Sequence, residues 1–226
     1  AADQIEFTGG KKNTINFEFI KGRLKARYNS LSPQAAVRYF KKLYEDTPSN
    51  ENKYAYISAL QSNGQTDQAL NVMNEILKKF PKNLILNTTK SEILLSGQRL
   101  SNAQKNIEQV LNISPGNYPA SIMKAKILSS KKEFIKAEEI LRDLLISKNR
   151  DPGLWMQLSE VQRAGKNIVG YHLSRGEYYT LIGDFDNALN QFQFALSLSG
   201  NSFQTSETIM TKIKFAKERL GRRRGF

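Results

Sequence analysis

The chain has 226 residues, of which 39% are hydrophobic and 24% are charged, so it can form a folded core and is not a disordered polymer. It contains no cysteine, which excludes disulfides, thiol catalysis and cysteine-based metal sites. No apolar run approaches the roughly 20 residues that a membrane-spanning helix requires, and the formal net charge of +13 bears on surface potential and partners, not on the fold.

Residues 1–14 carry no hydrophobic periodicity, and we predict that they are a linker or a remnant of an upstream region. The sequence does not start with methionine, so we expect a processed chain or part of a longer one. Helical spacing begins near Ile15 and ends near Asn29, with an apolar stripe formed by Phe17, Ile20 and Leu24, and with Phe19 alongside. Ser32 then predicts an N-cap, followed by Pro33 at the first position of a second helix.

Small residues recur with a strict period from this second helix onward. Four alanines, each near the start of a predicted helix, are spaced by 34 residues: Ala35, Ala69, Ala103 and Ala137. Pro81 and Pro115, which follow helices, are also 34 residues apart. This period is typical of tandem helical hairpins, in which a small residue lies where two antiparallel helices cross. We therefore predict hairpin units at residues 16–49, 50–83, 84–117 and 118–151.

The period changes in the last third of the chain. Ala188 follows Ala137 by 51 residues, which is one and a half periods, so one extra helix is predicted. Residues 168–182 would form this helix and pack on the helix at 153–164. The same helix would also serve as the first helix of a hairpin with residues 185–199.

The C-terminal units are accordingly placed at residues 152–182 and 169–200. A capping helix is predicted at residues 202–220, with four residues for burial: Ile209, Ile213, Phe215 and Leu220. Residues 221–226 form a basic tail. The whole array, residues 15–220, contains about twelve helices.

The clearest single motif places small and aromatic residues at fixed positions of a 34-residue frame: Gly176, Tyr179, Gly183, Ala188, Phe192 and Ala195. We expect Gly183 to end a helix where φ is positive. The pattern resembles the tetratricopeptide (TPR) repeat. This resemblance implies an all-α, TPR-like helical-hairpin solenoid, wound as a right-handed superhelix with an extra half-repeat near the C-terminus. Such arrays bind extended peptides or helices of other proteins.

Residues 151–160, 172–179 and 181–188 carry a more specific likeness, with Trp155 and Ala188 at its centre. They resemble the C-terminal TPR region of the BepA-like periplasmic zinc metalloproteases. Residues 17–28 are similar to the segment that links protease and array in that family. The resemblance implies the periplasm of a Gram-negative bacterium, and a protease-chaperone whose array engages the β-barrel assembly machinery or its outer-membrane protein substrates.

The chain also departs from that family. It has no HExxH motif and a single histidine, His172, so neither zinc binding nor peptidase activity is transferred to it. We predict that this chain is not an enzyme and holds no cofactor or metal, with zinc only in a protease domain that is absent here. Gly176 stands where the family more often has alanine.

Candidate binding residues are the positions of first helices that face the concave side of a TPR array. They are Tyr54, Ser58 and Gln61; Thr88, Glu92 and Leu95; Ile122, Lys126 and Ser129; and Met156, Glu160 and Arg163. This mixed set lacks the Lys/Asn-rich lining of TPR clamps that grip a C-terminal carboxylate. It predicts recognition of side chains and shape, while a solvated helix surface is the alternative for each residue.

The remaining conspicuous residues have structural interpretations. His172 is predicted to be a half-buried helix residue and Trp155 a core residue. Three aspartates near helix starts are predicted to be caps and dipole partners: Asp67, Asp184 and Asp186. The basic segment 212–226 is either a solvated terminal helix with a tail or a surface for an anionic partner.

Three functions remain open from the sequence. The first is the interaction module of a protease-chaperone, and the second is a free-standing TPR scaffold without an enzymatic partner in cis. The third, a nucleic-acid binder driven by charge, is disfavoured because no regularly placed base-reading residues occur. We therefore expect protein partners, no nucleic acid and no transmembrane segment.

Overall fold

The structure is a computed structural model that describes residues 11–200 and 203–224, with side chains at residues 14–200 and 203–222. Twelve α-helices account for nearly all of these residues, and no strand occurs among them. Residues 1–10 of the predicted linker and residues 225–226 of the predicted tail lie outside the described ranges. The helices form two compact units, which divide between Pro115 and Gly116.

The first unit contains six helices. Their bounds are α1 Lys11–Arg27, α2 Pro33–Asp46, α3 Asn50–Ser62, α4 Thr66–Lys79, α5 Leu84–Ser96 and α6 Leu100–Ile113. The first of them begins four residues before the predicted start at Ile15. Ser32 caps α2 by accepting from the Ala35 amide, with proline at the first helical position, as predicted.

The second unit contains the other six. Their bounds are α7 Tyr118–Ser130, α8 Phe134–Ser147, α9 Pro152–Ala164, α10 Ile168–Leu181, α11 Phe185–Leu198 and α12 Phe203–Arg224. The first helices α7 and α9 start 34 residues apart, as do the second helices α8 and α10. No helix among the described residues combines the length and the apolar character needed to cross a bilayer.

Each hairpin starts at a side-chain cap that repeats with the period. Ser49, Asn83, Asn117 and Asp151 are spaced by 34 residues, and each accepts a hydrogen bond from an amide in the first turn of α3, α5, α7 or α9. The cap satisfies an amide that the helix itself leaves unpaired. The repeat is therefore marked by polar caps as well as by small residues.

The turn inside each hairpin uses a residue in the left-handed region. Gly64, Gln98, Lys132 and Lys166 occupy it with φ of 73°, 58°, 63° and 62°, again 34 residues apart. Only one of the four is glycine. The tight turn therefore imposes this conformation on residues with side chains as well. Gly183, with φ of 79°, follows α10 in the same way and ends that helix as predicted.

The alanines at the helix crossings are buried with one exception. Ala69, Ala103, Ala137 and Ala188 are fully buried, which confirms the predicted register. Ala35 is only half-buried, and its neighbour Ala36 takes the core position in α2. The strict spacing fails there because α1 packs mainly on α3 and does not form a close crossing at Ala35.

The extra helix in the second unit is α10, which packs extensively on both α9 and α11. It thus serves two hairpins, as the change of period predicted. Gly176 is the reason that α11 can approach, since a Cβ there would lie 2.2 Å from Cε1 of Phe192. The core of this end continues into α12 through Ile209, which is fully buried.

The terminal helix departs from prediction in its length and in its core residues, since α12 continues to Arg224 and so includes residues 221–224 of the predicted tail. Ile209 and Leu220 are buried as expected, but Phe215 remains 41% exposed and Ala216 is buried in its place. The Phe215 ring lies 6.4 Å from that of Phe185 and under the Arg219 guanidinium. An edge contact and a cation therefore cover part of the ring while the rest faces solvent.

Candidate protein-binding surface

In the first unit, the predicted binding side is formed by α3 and α5, and we call it the α3/α5 face. It comprises the same four repeat positions of both helices: Glu51, Tyr54, Ser58, Gln61, Ile85, Thr88, Glu92 and Leu95. All eight residues are buried or half-buried. The predicted groove residues of this unit are therefore not freely accessible.

Tyr54 corrects the prediction most clearly. Its side chain is fully buried, its hydroxyl bonds to the hydroxyl of Thr89, and its ring centroid lies 5.6 Å from that of Phe19. Burial raises the pKa of Tyr54, although the bond to Thr89 opposes the rise. Tyr54 is a core residue because helix α1 lies against it, and the sequence-based placement in an open groove was wrong.

Helix α1 packs closely along α3 at Gly22. A Cβ at this residue would lie 2.3 Å from the carbonyl oxygen of Glu51 and 3.2 Å from the amide of Ala55. Both are backbone atoms of α3, so neither can move aside as a side chain could. Glycine allows the two backbones to meet, and it places Phe19 and Ala26 of α1 in the core. Burying a side chain such as Phe19 contributes roughly 1.5–3 kcal/mol.

Ion pairs hold α1 on the α3/α5 face at both flanks. Lys21 Nζ lies 3.0 Å from Glu51, and Lys25 bonds to the same carboxylate. On the other flank, Arg23 Nη2 lies 3.0 Å from Glu92. Burial raises the pKa of Glu51, but the bonds from Lys25 and Lys21 outweigh it and leave that pKa below its ordinary value. The acids of the α3/α5 face are thus already paired within the chain.

The opposite side of α1 is apolar and exposed. Phe17, Ile20 and Leu24 of α1, together with Tyr28 directly after it, are 64%, 47%, 49% and 76% exposed, and we call them the α1 ridge. At about 100° per residue, the ridge lies on the side of the helix opposite Phe19, Gly22 and Ala26. The predicted apolar stripe therefore faces solvent, whereas Phe19, which was set beside it, is buried.

The second unit presents the corresponding positions of α7 and α9, which we call the α7/α9 face. It comprises Pro119, Ile122, Lys126, Ser129, Gly153, Met156, Glu160 and Arg163. Five of these eight residues are exposed, including Lys126, Glu160 and Arg163. Glu160 and Arg163 pair with each other at 2.8 Å, and this bond raises the pKa of Arg163. The face offers both charges and apolar side chains to a partner.

Other predicted residues lie where structural roles are expected. His172 is half-buried, with Nδ1 2.9 Å from Gln191 Oε1. Trp155 packs against the core of the second unit and donates from Nε1 to the carbonyl of Asn149 at 2.7 Å. Asp184 caps α11, and Asp67 and Asp186 lie in the first turns of α4 and α11, where an acid favours the helix dipole. Asp67 is also paired with Arg99 at 2.5 Å.

Metal-ligating side chains do not cluster in the described part of the chain. Among those residues, no group of three histidine, cysteine or acidic side chains could hold a metal ion. A cavity of about 550 Å³ beside the α4–α5 turn is lined mainly by apolar side chains, including Ile15, Phe80, Leu84 and Ile113. Such a lining suits an apolar side chain and provides no nucleophile or acid–base pair.

Similarity to solved structures identifies the fold. A tetratricopeptide repeat protein from Parabacteroides merdae ATCC 43184 matches 92% of this chain over 86% of its own length, with a TM-score of 0.54 and 17% identity. A thermophilic TPR protein of Thermus thermophilus matches 87% over 98%, with a TM-score of 0.53 and 19% identity. A MamA RS-1 double mutant matches 81% over 95%, with a TM-score of 0.51 and 12% identity.

These identities establish the fold alone, so the chain is an all-α protein with TPR-like helical hairpins. No family profile matches the sequence, and no curated protein is significantly similar to it.

Proposed function

We propose that this chain is a protein-interaction module that binds its partner on the α7/α9 face. One observation carries the proposal: all eight repeat positions are buried or half-buried in the first unit, whereas five of the equivalent eight are exposed in the second. TPR-like arrays serve as binding surfaces by construction, because stacked hairpins present aligned first helices. The mixed lining of Lys126, Met156, Glu160 and Arg163 favours recognition of partner side chains.

Photocrosslinking from matched positions tests this proposal. A benzoyl-phenylalanine at Lys126 or at Glu160 should give a discrete crosslinked partner in cells that make the protein natively. The same residue at Ser58 or at Glu92, which occupy the equivalent position of α3 and α5, should give none. Crosslinks that arise only from Ser58 and Glu92, or only from α12, would overturn the assignment.

For the cellular context, we infer that this chain is the interaction module of a periplasmic protease-chaperone that acts on outer-membrane proteins or their assembly machinery. The α1 ridge supports this reading, because an exposed apolar stripe on a helix is typical of a surface covered by another protein body. The ridge falls within residues 17–28, the segment that resembles the link between protease and array. A protease domain in cis would have a surface to pack on there.

The alternative is a free-standing TPR scaffold or adaptor, with the α1 ridge as a second partner surface. The gene sequence upstream of residue 1 separates the two. An HExxH domain encoded there supports the protease context, and that domain, produced separately, should bind this chain unless Leu24 is changed to Glu. An upstream region that encodes no such domain supports the free-standing scaffold instead.

A further inference from the structure

Arg175, on α10, forms no ion pair with an acidic side chain among the described residues. It is half-buried, and its Nε is buried without a hydrogen-bond partner. Nη1 contacts the Met156 sulfur at 3.3 Å, and Nη2 donates to the Tyr179 hydroxyl at 2.8 Å. The guanidinium carbon also lies 5.1 Å from the centre of the Tyr179 ring.

The other arginines of the described chain differ from Arg175. Arg23, Arg99, Arg142 and Arg163 each pair with a carboxylate. Five further arginines whose side chains the structure describes are exposed to solvent: Arg27, Arg38, Arg150, Arg219 and Arg222. Of the acids close in sequence to this site, Glu160 bonds to Arg163, Glu177 to Lys212 and Asp184 to Asn187. A half-buried guanidinium held by sulfur and phenol is therefore a specific exception in this chain.

The chemistry of these contacts points to an anion. A guanidinium offers five N–H donors in a planar fork that fits a carboxylate, whereas a thioether is a weak acceptor. Burying a charge without a counterion is unfavourable, so the site gains from an incoming negative group. Met156 is flexible enough to move aside. The Tyr179 hydroxyl accepts from Arg175, which leaves its own proton free to donate.

Position connects this site to the candidate surface. Met156 belongs to the α7/α9 face, and the Arg175 side chain reaches it from the neighbouring helix α10. We propose that Arg175 and Tyr179 receive a carboxylate of the partner protein at the edge of this face. The identification of the ligand as a partner protein rests on the proposed function. Carboxylate binding at Arg175 can be tested without it.

Nuclear magnetic resonance of arginine Nε–H groups tests the site in the full chain. The Arg175 signal is assigned by its loss in Arg175→Lys. N-acetyl-glutamate α-amide should shift it saturably, whereas the neutral N-acetyl-glutamine amide should not. N-acetyl-alanine, which carries a terminal carboxylate, distinguishes a chain end from an acidic side chain as the source. No shift with either carboxylate, or an equal shift with the neutral amide, overturns the site.

Two variants separate this role from a structural one. Arg175→Met removes the uncompensated charge and should leave the melting temperature unchanged or higher, whereas a structural arginine would lower it. Arg175→Lys keeps the charge but loses the fork, and should weaken carboxylate binding about tenfold, or about 1.4 kcal/mol, as followed by the ring signals of Tyr179. Arg142→Lys, outside the α7/α9 face and already paired with Glu138, is the control and should bind the probe normally.

Photocrosslinking at Glu160 then connects the site to the partner. Arg175→Met should reduce the crosslink while the protein stays folded. If the carboxylate probe shifts the Arg175 signal but Arg175→Met leaves the crosslink unchanged, the role of the site in partner binding is refuted. If the protein with native Arg175 gives no crosslink from the α7/α9 face, the proposed function itself is refuted.

Discussion

The two units present the same repeat positions to very different surroundings. On the α3/α5 face, α1 covers Tyr54 and neutralises Glu51 and Glu92, whereas on the α7/α9 face Lys126 and Glu160 are exposed. The repeat thus fixes which residues lie on a face, but neighbouring elements decide whether that face is available. A face filled by its own chain contributes stability, and a face left open can bind another protein.

Disrupting a helix crossing in the second unit should have the largest effect. Ala188→Glu places a charge at a fully buried site and should unfold α10 to α12, with a loss of more than about 4 kcal/mol. Trp155 is the only tryptophan, so its fluorescence reports this unit. Its thermal transition should fall sharply while part of the circular-dichroism signal, from α1 to α6, persists. An unchanged transition would contradict the assigned register.

A substitution at Gly22 should loosen α1 from the α3/α5 face. Gly22→Ala should weaken the α1–α3 contact by about 1–3 kcal/mol or more, because its Cβ meets immovable backbone. Hydrogen exchange of the α1 amides should accelerate, while that of α7 and α9 stays unchanged. Unaltered protection of α1 would show that the close approach at Gly22 does not hold it in place.

The matched change in the second unit is Gly176→Ala. The new Cβ would lie 2.2 Å from the buried Phe192 ring, and we expect a destabilisation of about 1–3 kcal/mol. A neutral result would mean that the Phe192 ring can shift. The measurement is chemical denaturation followed by Trp155 fluorescence.

Acid should loosen the contact between α1 and the α3/α5 face. The folded-state pKa of Glu51 lies below the ordinary value of 4.5, so its contribution to stability is present above that pH and is lost as pH falls through the folded pKa. Exchange of the α1 amides should therefore rise below about pH 4.5. Glu51→Gln should reproduce the loosening at neutral pH, and equal α1 protection in this variant would argue against the ion pairs.

The turn positions should respond alike in both units, which makes them a control. Gln98 and Lys132 hold positive φ at equivalent places, and glycine removes the strain of a side chain there. Each change to glycine should stabilise by up to about 1 kcal/mol in denaturation experiments. A gain in only one unit would indicate that the turns are not equivalent.

The sequence predicted most of the hairpins correctly because their signals are local. Period, small residues and proline positions located α3 to α11, and the spacing of Ala188 predicted the extra helix. The surroundings of α1 were not predictable in this way, since both of its apolar sides satisfy helical periodicity. Gly22 was the available signal, because a glycine inside a helix often marks a close approach.

Pairs of residues on different helices were missed for a related reason. Tyr54 and Thr89 bond across two hairpins, and Arg175 meets Met156 across α9 and α10. Neither pair has a spacing that a sequence pattern could reveal. The exposure of Lys126, Glu160 and Arg163 was consistent with their repeat positions, but the covering of Glu92 depended on Arg23, which lies 69 residues away.

Cysteine labelling most directly tests whether one face is closed and the other open, since the chain has no cysteine of its own. Ser58→Cys and Glu160→Cys occupy the same repeat position of α3 and α9. We predict that a maleimide modifies the Ser58→Cys protein much more slowly than the Glu160→Cys protein, and that adding Gly22→Leu accelerates only the former. Equal rates in the two parent variants, or a Ser58→Cys rate that Gly22→Leu leaves unchanged, would contradict the closure of the α3/α5 face by α1.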